Sequence, residues 1–164
     1  MKKQSVLFVC LGNICRSPAA EAIFIDLINK KGLNDLFIVD SAGTGSWHIG
    51  KKADTRMRIA LQKRGIEILT RARQINSNDF EKFNYIVAMD DSNFENIIDL
   101  KTRKSLSDFS SIKKIQNFRS IFQEIEVPDP YFGGDEGFDN VLDILVENIK
   151  RLENADETLM NQIV

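Results

Sequence analysis

Residues 6–21 read VLFVCLGNICRSPAAE, and this stretch decides the fold. Ser5 to Cys10 is a short apolar run rich in Val and Phe, the pattern of a buried strand. Ser17 followed by Pro18 announces a helix, with serine as N-cap and proline at the first helical position. The loop between them therefore ends at a helix N-terminus. Backbone N–H groups there lack intrahelical acceptors, and the macrodipole concentrates roughly half a positive charge at that end. An oxyanion is the natural guest.

Cys10 stands at the carboxyl end of the strand, facing that field. A thiol so placed is expected to ionise well below its free value, in the range ~3.5–7.5 of activated cysteines, and a thiolate is a ready nucleophile. Arg16, with five residues between it and Cys10, offers a planar fork that grips two phosphoryl oxygens at once. Gly12 and Asn13 suit a loop that requires positive φ. Ser17 has a second expected role, donating its hydroxyl to the thiolate. A bare Cys-x5-Arg arises by chance wherever a buried cysteine precedes a surface arginine; strand, glycine loop, Ser-Pro start and amphipathic helix supply the context it needs. The expected phosphate-binding loop is Leu11, Gly12, Asn13, Ile14, Cys15, Arg16 and Ser17.

The whole stretch Val6 to Glu21 resembles the signature of the low-molecular-weight protein tyrosine phosphatases. That resemblance implies a carboxylic acid in an Asp-Pro-Tyr segment near the C-terminal helix, here Asp129-Pro130-Tyr131. Taken alone, Val127 to Gly134 (VPDPYFGG) reads as a turn-rich loop. Beside Cys10 it reads as the carrier of a general acid, stiffened by two prolines, with Tyr131 walling the slot for an aromatic ring. Further matches are Ser41-Ala42-Gly43-Thr44, Trp47, Asp54, Ala72-Arg73-Gln74, and Ala88-Met89-Asp90 followed by Ser92-Asn93.

By the same resemblance, Trp47 and Tyr131 flank the substrate ring, Asn13 and Ser41 brace the loop, and Asp90 orients Arg16. Read without it, Trp47 is a core or surface aromatic and Asp90 a capping residue. Two positions depart from the family pattern. Thr70 stands where relatives commonly carry a histidine bonded into the network around the loop asparagine, so a hydroxyl is left to substitute for it. Tyr131 is followed by Phe132 rather than by a second tyrosine, which makes the rim less polar and removes one phosphorylation site.

At 164 residues and 43% apolar content the chain suits one domain, residues 1–164, with a packed core. A formal charge of −2 indicates no general nucleic-acid role. Lys51-Lys52 and Lys101-Thr-Arg103-Lys104 read as solvated faces. No apolar run approaches the roughly 20 residues of a membrane span, so no membrane insertion is expected. Lys2-Lys3 before Val6 to Leu11 imitates the start of a signal peptide, but Gly12, Asn13 and Arg16 cut the run short without a cleavage site. A cytoplasmic chain beginning at Met1 is expected.

Two cysteines and the single His48 argue against a disulfide scaffold and leave too few ligands for zinc; neither metal nor cofactor is expected. Cys15 either captures oxidised Cys10 as a disulfide or packs behind the loop. His48 lacks a nucleophile-elbow partner and reads as a polar neighbour of Trp47.

Ala20, Ile23, Phe24, Leu27 and Ile28 mark one face of the first helix, ended by Gly32. A strand follows at Phe37 to Asp40, then a helix from Asp54 to Arg64 closed by Gly65, and a buried strand at Tyr85 to Met89. Ser92 with Glu95 forms a capping-box pattern for the next helix. A weaker fourth strand falls around Lys113 to Phe118, and Asn140 to Leu152 carries Val141, Leu145, Ile149 and Leu152 on one stripe. The fold class is α/β: an open parallel four-stranded sheet, helices on both faces, and a phosphate loop after the first strand.

The expected activity is metal-independent hydrolysis of phosphotyrosine in a protein or peptide through a cysteinyl-phosphate. Alternatives are a protein arginine phosphatase, whose bacterial members usually have threonine where Ile14 stands, and a thioredoxin-linked arsenate reductase, which needs further cysteines. A non-catalytic phosphopeptide or anion-binding module is the third. Nothing in the pattern fixes an oligomeric state.

Overall fold

The computed structural model describes residues 3–103, 115–117 and 126–154. Strands β1 (Gln4–Cys10), β2 (Phe37–Gly43), β3 (Tyr85–Ala88) and β4 (Ile115–Asn117) form one parallel sheet in the order β2-β1-β3-β4. The helices are α1 (Arg16–Lys30), α2 (Thr55–Gln62), the single turn α3 (Asp79–Lys82), α4 (Asp91–Arg103) and α5 (Glu136–Asn154). The open parallel α/β sheet expected from the sequence is the one the chain forms.

A parallel sheet is covered on both faces, so its strands alternate between two cores rather than between core and water. Val6, Phe8 and Cys10 join residues of α1, α2 and α5 in one apolar cluster. Leu7 and Val9 point the other way, toward Phe80 of α3, Ile97 of α4 and Ile86 and Ala88 of β3. Phe8 and Leu7 are wholly buried, and burial of each such side chain contributes about 1.5–3 kcal/mol. The rings of Phe8, Phe24 and Phe37 meet edge to face at centroid distances of 5.9 and 5.4 Å, which ties α1 to β1 and β2.

Strand β1 has β2 on one side and β3 on the other, so the chain goes from β1 outward to β2 and then crosses back. Such a reversal opens a crevice beyond the carboxyl ends of the strands, where ligands of open α/β sheets bind. Cys10 is the last residue of β1.

Local chemistry explains the end of α1 and the start of α2. Gly32 leaves α1 with φ of +69°, and the Leu33 N–H returns to the Ile28 carbonyl at 2.8 Å. Asp54 stands just outside α2 as its N-cap, accepting the Arg56 N–H at 2.8 Å. In α5, Val141, Leu145 and Ile149 are buried as the stripe predicts, and the Leu152 side chain lies outside the described residues.

Four expectations need correction. Ser17 is not the N-cap of α1: the helix begins at Arg16, with Cys15 as N-cap and no side-chain capping bond. Its hydroxyl is drawn inward by tertiary partners, described below. The capping box at Ser92 and Glu95 gives way to Asp90, whose Oδ1 accepts the Asn93 N–H at 2.7 Å. Lys101, expected on a solvated face, is 3% exposed, and Lys104 of the same run lies outside the described residues. Several bounds shift as well: β2 continues past Asp40 to Gly43, β3 ends at Ala88, α2 ends at Gln62 and α5 starts at Glu136. The observed β4 falls inside Lys113 to Phe118, whose remaining residues are not described. Among the described residues no helix is long and apolar enough to cross a membrane.

Candidate active site

The loop after β1 is shaped by having its carbonyls pinned outward. Those of Cys10 and Leu11 accept the N–H groups of Thr44 and Gly45 at 2.9 and 2.8 Å, that of Ile14 accepts from Asp54 at 2.8 Å, and that of Cys15 from Ala19 at 3.2 Å. Asn13 takes a φ of 55°, a left-handed conformation that asparagine tolerates, whereas Gly12, expected to share it, keeps an ordinary φ. Among the described residues no protein acceptor meets the backbone N–H groups of Gly12 to Ser17. A ring of unpaired donors at a helix N-terminus thus surrounds the end of β1. Strand β2 presses closely from behind: a Cβ at Gly43 would lie 2.7 Å from the Leu11 carbonyl oxygen.

Asn13 ties this loop together. Its Nδ2 donates to Ser17 Oγ at 2.8 Å and to Ser41 Oγ at 2.9 Å, and its Oδ1 accepts the Arg73 N–H at 2.9 Å. Ser17 Oγ lies 3.0 Å from Cys10 Sγ and 3.3 Å from the Ala42 carbonyl oxygen. Because Ser17 Oγ already accepts the Asn13 amide, the single hydroxyl proton of Ser17 has two places to go. It serves the sulfur when the sulfur is anionic, and the carbonyl otherwise.

Arg16, 2% exposed, is the buried cation of the site. Its Nη1 donates to Asp90 Oδ2 at 2.6 Å and to the Val127 carbonyl at 3.1 Å, and its Nη2 lies 3.6 Å from Asp129 Oδ2. Burial works against its charge, but Cys10, Asp90 and Asp129 more than offset that and hold its pKa above the ordinary arginine value. Asp129 is oriented from its own loop, its Oδ1 accepting the Tyr131 N–H at 3.0 Å. Cys15 is buried, and that burial, with Asp54, Cys10 and Asp129 nearby, pushes its thiol well above the usual cysteine range. It is a thiol rather than a thiolate at neutral pH.

A pocket of about 270 Å³ opens over Cys10, lined by the loop residues Leu11, Gly12, Ile14, Cys15 and Arg16 together with Trp47, His48, Asp129, Tyr131 and Phe132. Trp47 is 67% and Phe132 92% exposed, so the rim carries large apolar surface into water. Tyr131 meets Phe132 edge to face at 4.9 Å and stands 6.0 Å from the His48 ring. The sequence-predicted residues Cys10, Arg16 and Asp129 are therefore brought together in one cavity, with Trp47 and Tyr131 on its wall. Ser41 and Asp90 lie behind it, against Asn13 and Arg16.

Thr70 sits differently. It is exposed and is not among the hydrogen-bond partners of Asn13; the Arg73 N–H is. The Thr70 hydroxyl instead favours the charged form of Glu21, as do Ser41 and Arg73, whereas burial and Asp40 push the Glu21 carboxyl up to about 7. Glu21 is 3% exposed and its Oε1 finds no hydrogen-bond partner. The sequence gives no sign of this, since a glutamate inside a helix reads as a charge on its solvated face. Arg56 and the bracing role of Arg73 also escape the sequence pattern, although an aspartate two residues before Arg56 hints at an ion pair. Among the described residues no three His, Cys, Asp or Glu side chains are placed to hold a metal ion.

The family described as low molecular weight phosphotyrosine protein phosphatase matches residues 5–162. The protein of that description from Schizosaccharomyces pombe is 44% identical over 138 residues, which cover 84% of this chain and 86% of that one. A crystal structure of a protein tyrosine phosphatase from Entamoeba histolytica with Hepes in the active site superposes with a TM-score of 0.82 at 40% identity, covering 93% of this chain and 99% of the other. A Drosophila arginine phosphatase superposes with a TM-score of 0.81 at 36% identity, covering 94% and 97%.

Proposed function

The chain belongs to the low-molecular-weight phosphotyrosine protein phosphatases, and from that premise we propose that it hydrolyses phosphotyrosine through a cysteinyl-phosphate without a metal ion. The observation that carries this reading is the meeting of Cys10 Sγ, the unpaired amides of Gly12 to Ser17, Arg16 and Asp129 in one pocket.

Cys10 Sγ attacks phosphorus while the loop amides and the guanidinium of Arg16 bind the equatorial phosphoryl oxygens, whose charge grows in the transition state. The oxygen of the departing phenol takes a proton from Asp129, poised over Arg16. The P–O bond to the phenol breaks as the S–P bond forms. In the second step Asp129, now a carboxylate, takes a proton from water. The water oxygen attacks phosphorus, and Cys10 leaves as thiolate with the proton of Ser17 directed to it. The positive charge usually supplied by a metal is here supplied by Arg16 and backbone dipoles. Trp47 and Tyr131 flank the ring of the substrate, and the chain acts as one domain, in the reducing cytoplasm where a free thiol persists.

The second reading, a protein arginine phosphatase, draws on the Drosophila neighbour. Buried Ile14 lines the pocket without a hydroxyl, which favours an aromatic leaving group over a guanidine. Phosphate release from a phosphotyrosine peptide and a phosphoarginine peptide in EDTA, with wild type beside Cys10→Ser, decides between them. Release from phosphotyrosine alone, abolished by Cys10→Ser, is expected. Preference for phosphoarginine overturns the substrate class, and release from neither leaves an anion-binding module.

A further inference from the structure

Arg56 holds the segment that carries Asp129 without touching the pocket itself. It is the second residue of α2, and Asp54 aims it: Asp54 Oδ1 accepts from Nε at 3.1 Å and Oδ2 from Nη2 at 3.0 Å. From that fixed fork, Nη2 donates to the Tyr131 carbonyl at 3.0 Å and Nη1 to the Gly133 carbonyl at 3.5 Å. Its Cζ lies over two rings, 5.6 Å from the centroid of Tyr131 and 4.6 Å from that of Phe138, at the start of α5. One side chain therefore spans α2, the 129–134 segment and α5.

The grip falls where it matters for the acid. Tyr131 is held from two sides: its carbonyl by Arg56, and its N–H by Asp129 Oδ1. Besides these bonds, the segment is held by Arg16, 3.6 Å from Asp129, and by the Gly137 N–H on the Gly134 carbonyl at 3.1 Å. Its own backbone contributes the Gly133 N–H to the Pro130 carbonyl at 3.1 Å, and beyond lie exposed Phe132 and two glycines. On the other side of Asp54 the connection reaches the phosphate loop directly, since the Asp54 N–H donates to the Ile14 carbonyl at 2.8 Å. The same two residues thus link the loop that binds phosphate to the segment that delivers the proton.

We propose that Arg56 is the positioning residue of the general acid, setting the height of Asp129 and the Tyr131 wall over Cys10 through the Tyr131 and Gly133 carbonyls. The proposal rests on the role given to Asp129 above. A lysine in its place keeps the charge but loses the planar fork and the stacking.

The experiment is kcat/KM for a series of aryl phosphates of rising leaving-group pKa, with wild type, Arg56→Lys, Arg56→Gln and Asp129→Asn. Inorganic phosphate is used as a competitive inhibitor of each variant. A poor leaving group needs its proton and a good one does not, so loss of acid catalysis steepens the dependence on leaving-group pKa. Expected for both Arg56 variants is a loss of about tenfold or more on the poorest leaving groups, part of the roughly 10²–10⁴-fold that general acid catalysis contributes. On the best leaving group the loss stays within about threefold, and the phosphate inhibition constant likewise, which also shows the phosphate loop folded. A wild-type slope in both variants, or an equal loss on every substrate with weakened phosphate inhibition, overturns the proposal. An unchanged slope in Asp129→Asn is a separate result: it removes the acid role of Asp129 and the proposal with it.

Discussion

Asp90 divides its carboxylate between two tasks, Oδ2 receiving Arg16 Nη1 at 2.6 Å while Oδ1 caps α4 through the Asn93 N–H. Arg16, the proposed clamp on the phosphate, and the start of a helix on the far side of the sheet therefore share one side chain. Asp90→Asn keeps an oxygen for the cap and removes the charge that orients Arg16. It should lower kcat/KM on a phosphotyrosine peptide by about tenfold or more, since hydrogen bonds to charged groups contribute roughly 1.5–3 kcal/mol. Asp90→Ala should add a loss of about 1 kcal/mol for the missing cap, seen as a fall in Tm of roughly 2–4 °C beyond the asparagine variant. Equal Tm values for the two variants would separate the cap from Asp90.

Ser17→Ala removes the hydroxyl that lies 3.0 Å from Cys10 Sγ and leaves the Asn13 amide with one acceptor fewer. Both steps should slow, the second more, because the leaving thiolate loses its donor. Rapid-quench measurement should then show a burst of phenol with slow phosphate release. A rate loss confined to the first step would assign the Ser17 proton to the Ala42 carbonyl throughout.

Stability should depend on pH through Glu21. Its folded pKa is raised to about 7 by burial, against an ordinary value of 4.5. Between those values the folded state binds the proton and the unfolded chain releases it, so stability is greatest below about pH 4.5 as far as this group is concerned. It declines as pH rises through the window and levels off above about 7. The full swing is on the order of 3 kcal/mol. Glu21→Gln should flatten this part of a Tm-against-pH curve and raise Tm at pH 8. Thr70→His, which sets a basic ring beside the carboxylate, should shrink the same dependence. An identical curve for Glu21→Gln and wild type would mean that Glu21 is solvated.

Cys15, with its thiol pushed far up by burial, should not compete with Cys10 for an alkylating agent. Iodoacetate at neutral pH should add one carboxymethyl group, mapped to Cys10 by peptide mass, with phosphate protecting. If Cys15 serves as a trap for oxidised Cys10, peroxide-treated wild type should regain activity on thiol addition and Cys15→Ala should not. Equal recovery would leave Cys15 a packing residue.

The strand, the loop and the direction of Cys10 could be read from sixteen residues because their signals are local: apolar period, glycine, and a helix start. The errors fall where tertiary partners outbid local ones. Ser17 beside Pro18 has every mark of a cap, yet Asn13 and Cys10 claim its hydroxyl and the helix begins two residues earlier. Ser92 and Glu95 spell a capping box, but Asp90, already held by Arg16, reaches the free amide first. Arg56 and Glu21 were illegible for the same reason. Nothing within a few residues of either tells that one spans three elements or that the other is buried without a full set of partners.

Gly43 belongs to β2, yet what forbids a larger residue there is the Leu11 carbonyl across the gap. The end of the second strand acts as a mould for the loop, and any methyl added to the mould is transferred to the casting. Anyone who randomises the loop after β1 while holding β2 fixed samples only the shapes that this one hydrogen atom permits. The freedom to redesign residues 11–15 is stored at position 43.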